Sequence, residues 1–291
     1  MLLTLAAIWG SSFMFIKVAV EELTPGEVVF WRVFVGAVVL LPFAGGVLGW
    51  RRLRTLLRQY ARPLFIVAVF NASIPFWLLA WSEQRLDSGL AAVLQASMPL
   101  FTALLALRFA HGQRVTGVRL IGVMIGFLGV VLLVGAQPSG DVLSALAVLL
   151  TALCYAASAL YAGARLSTAP SMLTSFGTLA IATLTTLPLG IAQLPGEAPS
   201  WKVIGSVVAL GAVGLSVAYL LYFALISGPG ASYAALVTYL VPGMALVYGA
   251  IFLDEEITAS ALGGLGLILA GVALGTGTLR LPRRTPVGET P

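Results

Sequence analysis

Stretches of about twenty nearly uncharged residues, the length a helix needs to cross a hydrocarbon layer ~30 Å thick, succeed one another along almost the whole chain. Ten can be laid out, roughly 2–20, 28–45, 63–82, 88–108, 117–135, 142–163, 170–192, 201–225, 231–252 and 259–279. The connections are short and carry turn-formers in "LTPGE", "GAQPSGD", "LPGEAPS" and "SGPGA"; only 46–62 is longer. Charged residues make up 9% of the chain, against about a quarter in a soluble domain. Such a chain cannot cover itself in water, and the expectation is an all-α polytopic membrane protein with no soluble domain. "MLLTLAAIWG" lacks the basic leader of a signal peptide, so the first stretch reads as a span, with a shortened start ahead of it. One cysteine, Cys154, rules out an internal disulfide, and one histidine, His111, speaks against a histidine-based metal site. No metal or cofactor is expected.

The net charge of +5 would point to nucleic acid in a soluble protein; here it follows from topology. With an inside N-terminus, the inner loops and tail hold twelve basic residues: Arg51, Arg52, Arg54, Arg58, Arg62, Arg108, Arg114, Arg119, Arg165, Arg280, Arg283 and Arg284. The outer side holds four, Lys17, Arg32, Arg85 and Lys202, together with every acidic residue except Glu289. By the positive-inside rule both termini are cytoplasmic. "WRRLRTLLRQYAR" sets Trp50, Leu53, Leu57 and Tyr60 on one helical face among arginines, the pattern of an interfacial helix on anionic lipid.

The two halves repeat. Leu41-Pro42 matches Leu187-Pro188 at an offset of 146, which also sets Trp9 opposite Tyr155 and Ser12 opposite Ser158. Pro99 matches Pro242 at 143, and "LIGVMIGFLGVVL" matches "LGGLGLILAGVAL" at 142, with Gly122 on Gly264 and Gly129 on Gly271. Five spans per half is an odd number, so the second half must be inverted. That is why "AHGQR" follows the fourth span and "LDEEI" the ninth. The expected organisation is a first five-helix repeat over 2–135, a second over 142–279 and a short cytoplasmic tail over 280–291. Inverted repeats are a transporter signature, with the substrate site near the midplane between halves.

Pro75, Pro99 and Pro242 then read as helix kinks. Proline leaves the carbonyl four residues earlier without its donor; those carbonyls belong to Asn71, Gln95 and Thr238. Freed backbone with a polar side chain belongs against protein or a water-filled cavity, although ordinary kinks healed by neighbouring hydroxyls are the alternative.

"WGSSFMFIK" (9–17), "TPGEVVFWR" (24–32) and "FLDEEITASALGGLGLILAGV" (252–272) resemble the EamA-type family of the drug/metabolite transporter superfamily, over nearly the whole chain. "AHGQR" departs from it, replacing the acidic segment of the first half. The resemblance implies a ten-helix carrier of small metabolites, often an amino-acid exporter. It also implies a central cavity lined by helices 1, 3, 4, 6, 8 and 9.

On those helices the candidate substrate-binding residues are Trp9, Ser12, Asn71, Trp77, Gln95, Tyr155, Tyr219, Thr238 and Tyr239. Trp81 and Tyr222 are more exposed to an interfacial reading, and Ser12 and Ser158 to simple close packing. Lys17 and Arg32 either attract a substrate carboxylate or close an outer gate, or else snorkel or pair with Glu21 or Glu27. "GVMIG" and "GVALG" place Gly122, Gly126, Gly271 and Gly275 where helices five and ten approach closely. Glu83 and Glu27 are placed near the outer rim, which leaves no carboxylate at mid-depth to relay protons; facilitated transport is expected.

The expected function is thus alternating-access transport of small neutral or zwitterionic metabolites, such as amino acids with large side chains, in the bacterial inner membrane. The expected partners are the substrate and the bilayer, with no nucleic acid, in a monomer or weak homodimer. A lipid flippase of the same fold is the alternative. An intramembrane enzyme is disfavoured, because the chain offers no nucleophile with its base.

Overall fold

The structure, a computed structural model, describes residues 1–109, 118–135, 141–192, 198–228 and 230–275. The "AHGQR" segment and the tail 280–291 lie outside the described residues. Among the described residues the chain is helical, without strands. Eight helices are long and apolar enough to cross a membrane: Leu2–Ala19, Pro25–Leu48, Ala61–Glu83, Ser88–Ala106, Val142–Arg165, Ser171–Ile191, Trp201–Ile226 and Tyr233–Phe252. Two shorter apolar helices, Leu120–Gly135 and Ala259–Gly275, stand where the fifth and tenth spans are expected. Large apolar side chains such as Leu3, Val38, Phe43, Met124, Leu184 and Ile251 are exposed around the bundle, as a lipid-facing surface requires. The chain is an integral, polytopic membrane protein.

Helix starts are specified locally. α2 (Pro25–Leu48) opens with a capping box: the Thr24 hydroxyl accepts from the Glu27 N–H at 3.4 Å, and the Glu27 carboxylate accepts from the Thr24 N–H at 2.8 Å. Pro25 in its first turn lacks only an N–H that would be unpaired there anyway. α11 (Trp201–Val208) starts on Ser200, whose hydroxyl accepts from the Val203 N–H. α3 (Trp50–Gln59) turns Leu53 into the core and leaves its arginines outside. Leu57 and Tyr60 pack against that core while Trp50 is 61% exposed. The apolar face of this helix therefore lies largely on the protein.

Pro75 and Pro99 act differently from simple kinks. In the third span α4 (Ala61–Ala68) passes into a π-helical segment, Val69–Ser73, before α5 (Ile74–Glu83) resumes with Pro75 in its first turn. The widened turn absorbs the missing N–H and the ring clash. The fourth span is interrupted at Ala96 and Ser97, between α6 (Ser88–Gln95) and α7 (Met98–Phe109). Pro99 thus opens a second helix instead of bending one. In the ninth span the interruption falls at Leu236, between α13 (Ala231–Ala235) and α14 (Val237–Phe252), so Pro242 sits inside α14 away from the break. A second π-helical segment, Ala209–Val217, joins α11 to α12 (Ala218–Ser227). It contains no proline, and the sequence reading gave no warning of it.

The remaining helices are α1 (Leu2–Ala19), α8 (Val118–Gly135), α9 (Val142–Arg165), α10 (Ser171–Ile191) and α15 (Ala259–Gly275). Their packing is exchange-related. α1 packs on α14 as α9 packs on α6 and α7; α2 packs on the 209–217 segment as α10 packs on α4 and the 69–73 segment. α2 pairs with α10, and α8 with α15. Polar ties repeat the relation: Ser73 Oγ and Thr185 Oγ1 lie 2.8 Å apart, joining the first π segment to α10, and Ser216 Oγ donates to Gly36 O at 2.9 Å, joining the second to α2. Gly271 of α15 faces the backbone of Gly122 and Gly126, and Gly122 faces that of Gly271 and Gly275. The four glycines meet between α8 and α15, so the two helices approach backbone to backbone.

Candidate functional site: a buried arginine beside an aromatic cluster

Two ends of the bundle can be told apart by charge. One carries Glu21, Glu22, Asp87, Asp254, Glu255 and Glu256; the other carries Arg51, Arg52, Arg54, Arg58 and Arg165. At the acidic end a single apolar cluster joins α1, α5, α6, α8, α9, α11, α14 and α15. Towards the basic end the core divides. One cluster gathers α2, α4 and α10 with Trp77, Tyr155 and Tyr219 packed against it; another gathers α1, α12 and α14 with Trp9 and Tyr222.

Arg32 lies on α2, between Val29 and Val33 of the first of these clusters. It is 6% exposed, its guanidinium stands 4.0 Å from the centroid of the Phe76 ring, and its Nε has no hydrogen-bond partner. Tyr155 and Tyr219 are within electrostatic reach of it, and the Tyr155 ring meets Phe76 edge-on at 6.5 Å. Arg32 therefore neither snorkels to headgroups nor pairs with Glu27, as one sequence alternative had it; Glu27 is taken by Thr24. A cation over an aromatic face is stabilised by the ring quadrupole, yet a guanidinium has five N–H donors that a ring cannot satisfy. The arrangement can accept a planar anion.

Of the residues expected to line a site, Tyr155 and Tyr219 come within reach of Arg32, Tyr155 also meeting Phe76, while Trp77 packs on the same apolar cluster. Asn71 is half-buried in the first π segment, and half-buried Gln95 ends α6 with its Oε1 enclosed and unpartnered. Trp9 is set apart from this group, its ring 5.5 Å from that of Tyr222. Ser12 is buried and donates to Ile8 O, and it stands against Gly214, which is a packing role. Thr238 is exposed and bonded to Ala235 O of its own segment, and Tyr239 packs against the acidic-end cluster. Trp81 lies under Arg85, 5.2 Å from centroid to guanidinium, as an interfacial side chain would.

At the acidic end, Lys17 Nζ donates to the carbonyls of Glu83 at 2.8 Å and Leu86 at 2.7 Å, completing the open end of α5. It does not pair with Glu21, which instead meets Lys202 at 3.1 Å on the surface. The Glu255 carboxylate caps α6 from across the bundle, accepting from Ser88 N at 2.7 Å, Gly89 N at 3.0 Å and Ser88 Oγ at 2.9 Å. These are charge-assisted bonds at a helix N-terminus. Glu255→Ala should cost about 1–3 kcal/mol, read as a lower melting temperature in detergent. Between these ties lies a cleft of ≈ 560 Å³ lined by Lys17, Glu21, Asp87, Leu246 and Glu255. Partial burial, and then the charge of Glu255, raise the Asp87 carboxyl above its usual range. Glu22 is held below its usual range by hydrogen bonds from Ser200.

Glu83 ends α5 at the acidic end, where the outer rim is expected, but it is buried there instead of solvated. It is 0% exposed, and both carboxylate oxygens lack a partner. Phe76 and Glu255 are the residues that sequence reasoning passed over, and the burial of Glu83 is what it did not foresee. Phe76 and Glu83 lie seven residues apart, and that spacing on one helix face was the available signal.

The profile of the EamA-like transporter family matches residues 1–135 and 142–276. Among curated proteins, an uncharacterized transporter of Archaeoglobus fulgidus is 28% identical over 91% of this chain and 93% of its own length. The uncharacterized inner membrane transporter YedA of Escherichia coli is 26% identical over 94% of this chain and 89% of its own. The uncharacterized transporter YdfC of Bacillus subtilis is 28% identical over 91% and 86%. A solved crystal structure superposes with a TM-score of 0.65 at 18% identity over 95% of both chains, which is a likeness of fold. The chain belongs to the EamA-like transporter family, and it is a membrane transporter rather than an enzyme.

Proposed function

We propose that this transporter carries small zwitterionic or neutral metabolites, amino acids with large side chains among them, by alternating access around Arg32. The observation that carries the reading is the buried Arg32 guanidinium, its Nε without an acceptor, lying over Phe76 with Tyr155 and Tyr219 within electrostatic reach. A substrate carboxylate supplies the missing acceptors in the bidentate geometry that arginine favours, and a large side chain rests on the rings. Asn71, Gln95 and Trp77 complete the wall. The continuous apolar core beneath the acidic-end cleft supports a carrier closed on that side. The exchange-related packing supports ten helices in two inverted repeats, 2–135 and 142–279, with the site between them.

The arginine-rich end faces the cytoplasm on this reading, in the inner membrane, as the charge bias requires. Reporters inserted within 51–58 and at Thr168 should score cytoplasmic, and one at Ser200 periplasmic; a reversed score at any of the three contradicts the topology. Function is tested by counterflow in proteoliposomes, offering aromatic and aliphatic amino acids, their decarboxylated amines, and a fluorescent phospholipid. Exchange of amino acids but not of the amines is expected. Movement of the phospholipid alone would replace this reading with that of a lipid flippase.

A further inference from the structure

Glu83 is unused by the carboxylate-binding role assigned to Arg32, and its surroundings are unusual. Three charged side chains act on it from different elements: Lys17 from α1, Glu255 from the segment after α14, and Arg32 from α2. Each is engaged elsewhere. The Lys17 ammonium is taken by the carbonyls of Glu83 and Leu86, Glu255 by the start of α6, and the Arg32 guanidinium lies over Phe76. What remains is a carboxyl sealed from solvent, with the backbone N–H of Lys17 nearby but neither oxygen within hydrogen-bond geometry of a partner. An ionised carboxylate in such a place pays for lost hydration without compensation, whereas a neutral acid does not. Immediately outward lies the acidic-end cleft, which reaches Lys17 and is rimmed by Glu21, Asp87 and Glu255. The Lys17 ammonium therefore touches water on one side and the Glu83 backbone on the other.

We propose that Glu83 is a proton-binding site of this transporter, protonated while the acidic end is sealed and deprotonated as that end opens. In the opening step the Glu83 O–H bond breaks and the proton passes to water in the cleft. The carboxylate left behind is hydrated and faces the Lys17 ammonium. No other bond changes. Transport is then linked to protons, in place of the uncoupled facilitation that the absence of a mid-depth carboxylate suggested. The opening of the acidic end rests on the alternating-access reading above; the proton on Glu83 does not.

Two measurements on the full chain in lipid nanodiscs test this. Infrared titration should show the carbonyl stretch of a protonated carboxylic acid at neutral pH, lost as the pH rises and absent in Glu83→Gln. For the opening, Leu246→Cys in a Cys154→Ala background reports access to the seal. Its alkylation by a membrane-impermeant maleimide is normalised to that of Trp201→Cys, an 86% exposed position at the same end. The normalised rate should rise about tenfold per pH unit until the acid is ionised, and stay low and flat in Glu83→Gln. Should that variant fail to fold, Glu83→Asp keeps the band with a displaced midpoint, and the titration of the parent still decides. A missing band, a band that survives in Glu83→Gln, or a flat labelling profile in the parent overturns the proposal. Failure of the carrier reading shows separately, as absent counterflow beside a normal titration.

Discussion

Gly271→Val is expected to be the most damaging single substitution for folding. A Cβ at Gly271 would fall on the backbone N and Cα of Gly126 and the carbonyl O of Gly122. Backbone cannot rotate aside as a long side chain can, so α8 and α15 must separate along their whole contact. Overpacking a well-packed core costs about 1–3 kcal/mol, occasionally more, and a backbone-to-backbone contact belongs at the upper end. The measurement is monodisperse yield and melting temperature in detergent, with Gly266→Val as control. Gly266 lies on the same helix with nothing within 4 Å of an added Cβ, and its substitution should leave both unchanged. Equal behaviour of the two variants would contradict the close approach.

Arg32→Met is expected to have the largest effect on transport. A hydrogen bond to a charged group contributes about 1.5–3 kcal/mol, so losing the carboxylate partner should weaken substrate binding roughly ten- to hundredfold. Stability should be unchanged or higher, because a buried charge short of partners is replaced by an apolar side chain of similar length. Arg32→Lys should not restore transport, since an ammonium presents no planar fork. Counterflow and melting of the same preparations separate the two effects. A loss of both together would show Arg32 to be structural.

Much of the architecture was legible because a bilayer allows few solutions. Apolar length announces the spans, and the capping box at Thr24 and Glu27 and the glycine pairs on α8 and α15 announce starts and contacts through local chemistry. Pro75 and Pro99 were legible as irregular points, but not in form. Whether a chain answers a proline with a π turn, as at Val69–Ser73, or with a break, as at Ala96, depends on which neighbours can take the freed backbone groups. Thr151 Oγ1 of α9, which donates to Pro75 O at 3.3 Å, shows that polar neighbours reach this stretch from another helix, although the carbonyl the proline frees is that of Asn71. The candidate site was legible in part for the same reason. Trp77, Tyr155 and Tyr219 are recognisable as aromatics on inward helices, but Phe76 looks like any lipid-facing phenylalanine until Arg32 is seen above it. The burial of Glu83 was not legible, because a carboxylate six residues before the acidic-end Gly89 looks solvated. Its burial comes from α1, whose Lys17 reaches over it, and from the segment after α14, and no sequence window contains both.

The central claim is that substrate passes by alternate opening of two ends around one site, and a cross-link at the sealed end tests it most directly. A Cβ at Gly89 would lie beside Leu246, 3.2 Å from its Cα, so Gly89→Cys with Leu246→Cys in a Cys154→Ala background places two thiols across the contact of α6 with α14. Oxidised in proteoliposomes, the pair should lock the acidic end and stop counterflow of L-phenylalanine, while L-phenylalanine still protects the protein against thermal unfolding; reduction should restore exchange. Undiminished counterflow with the bridge intact would contradict alternating access through this end.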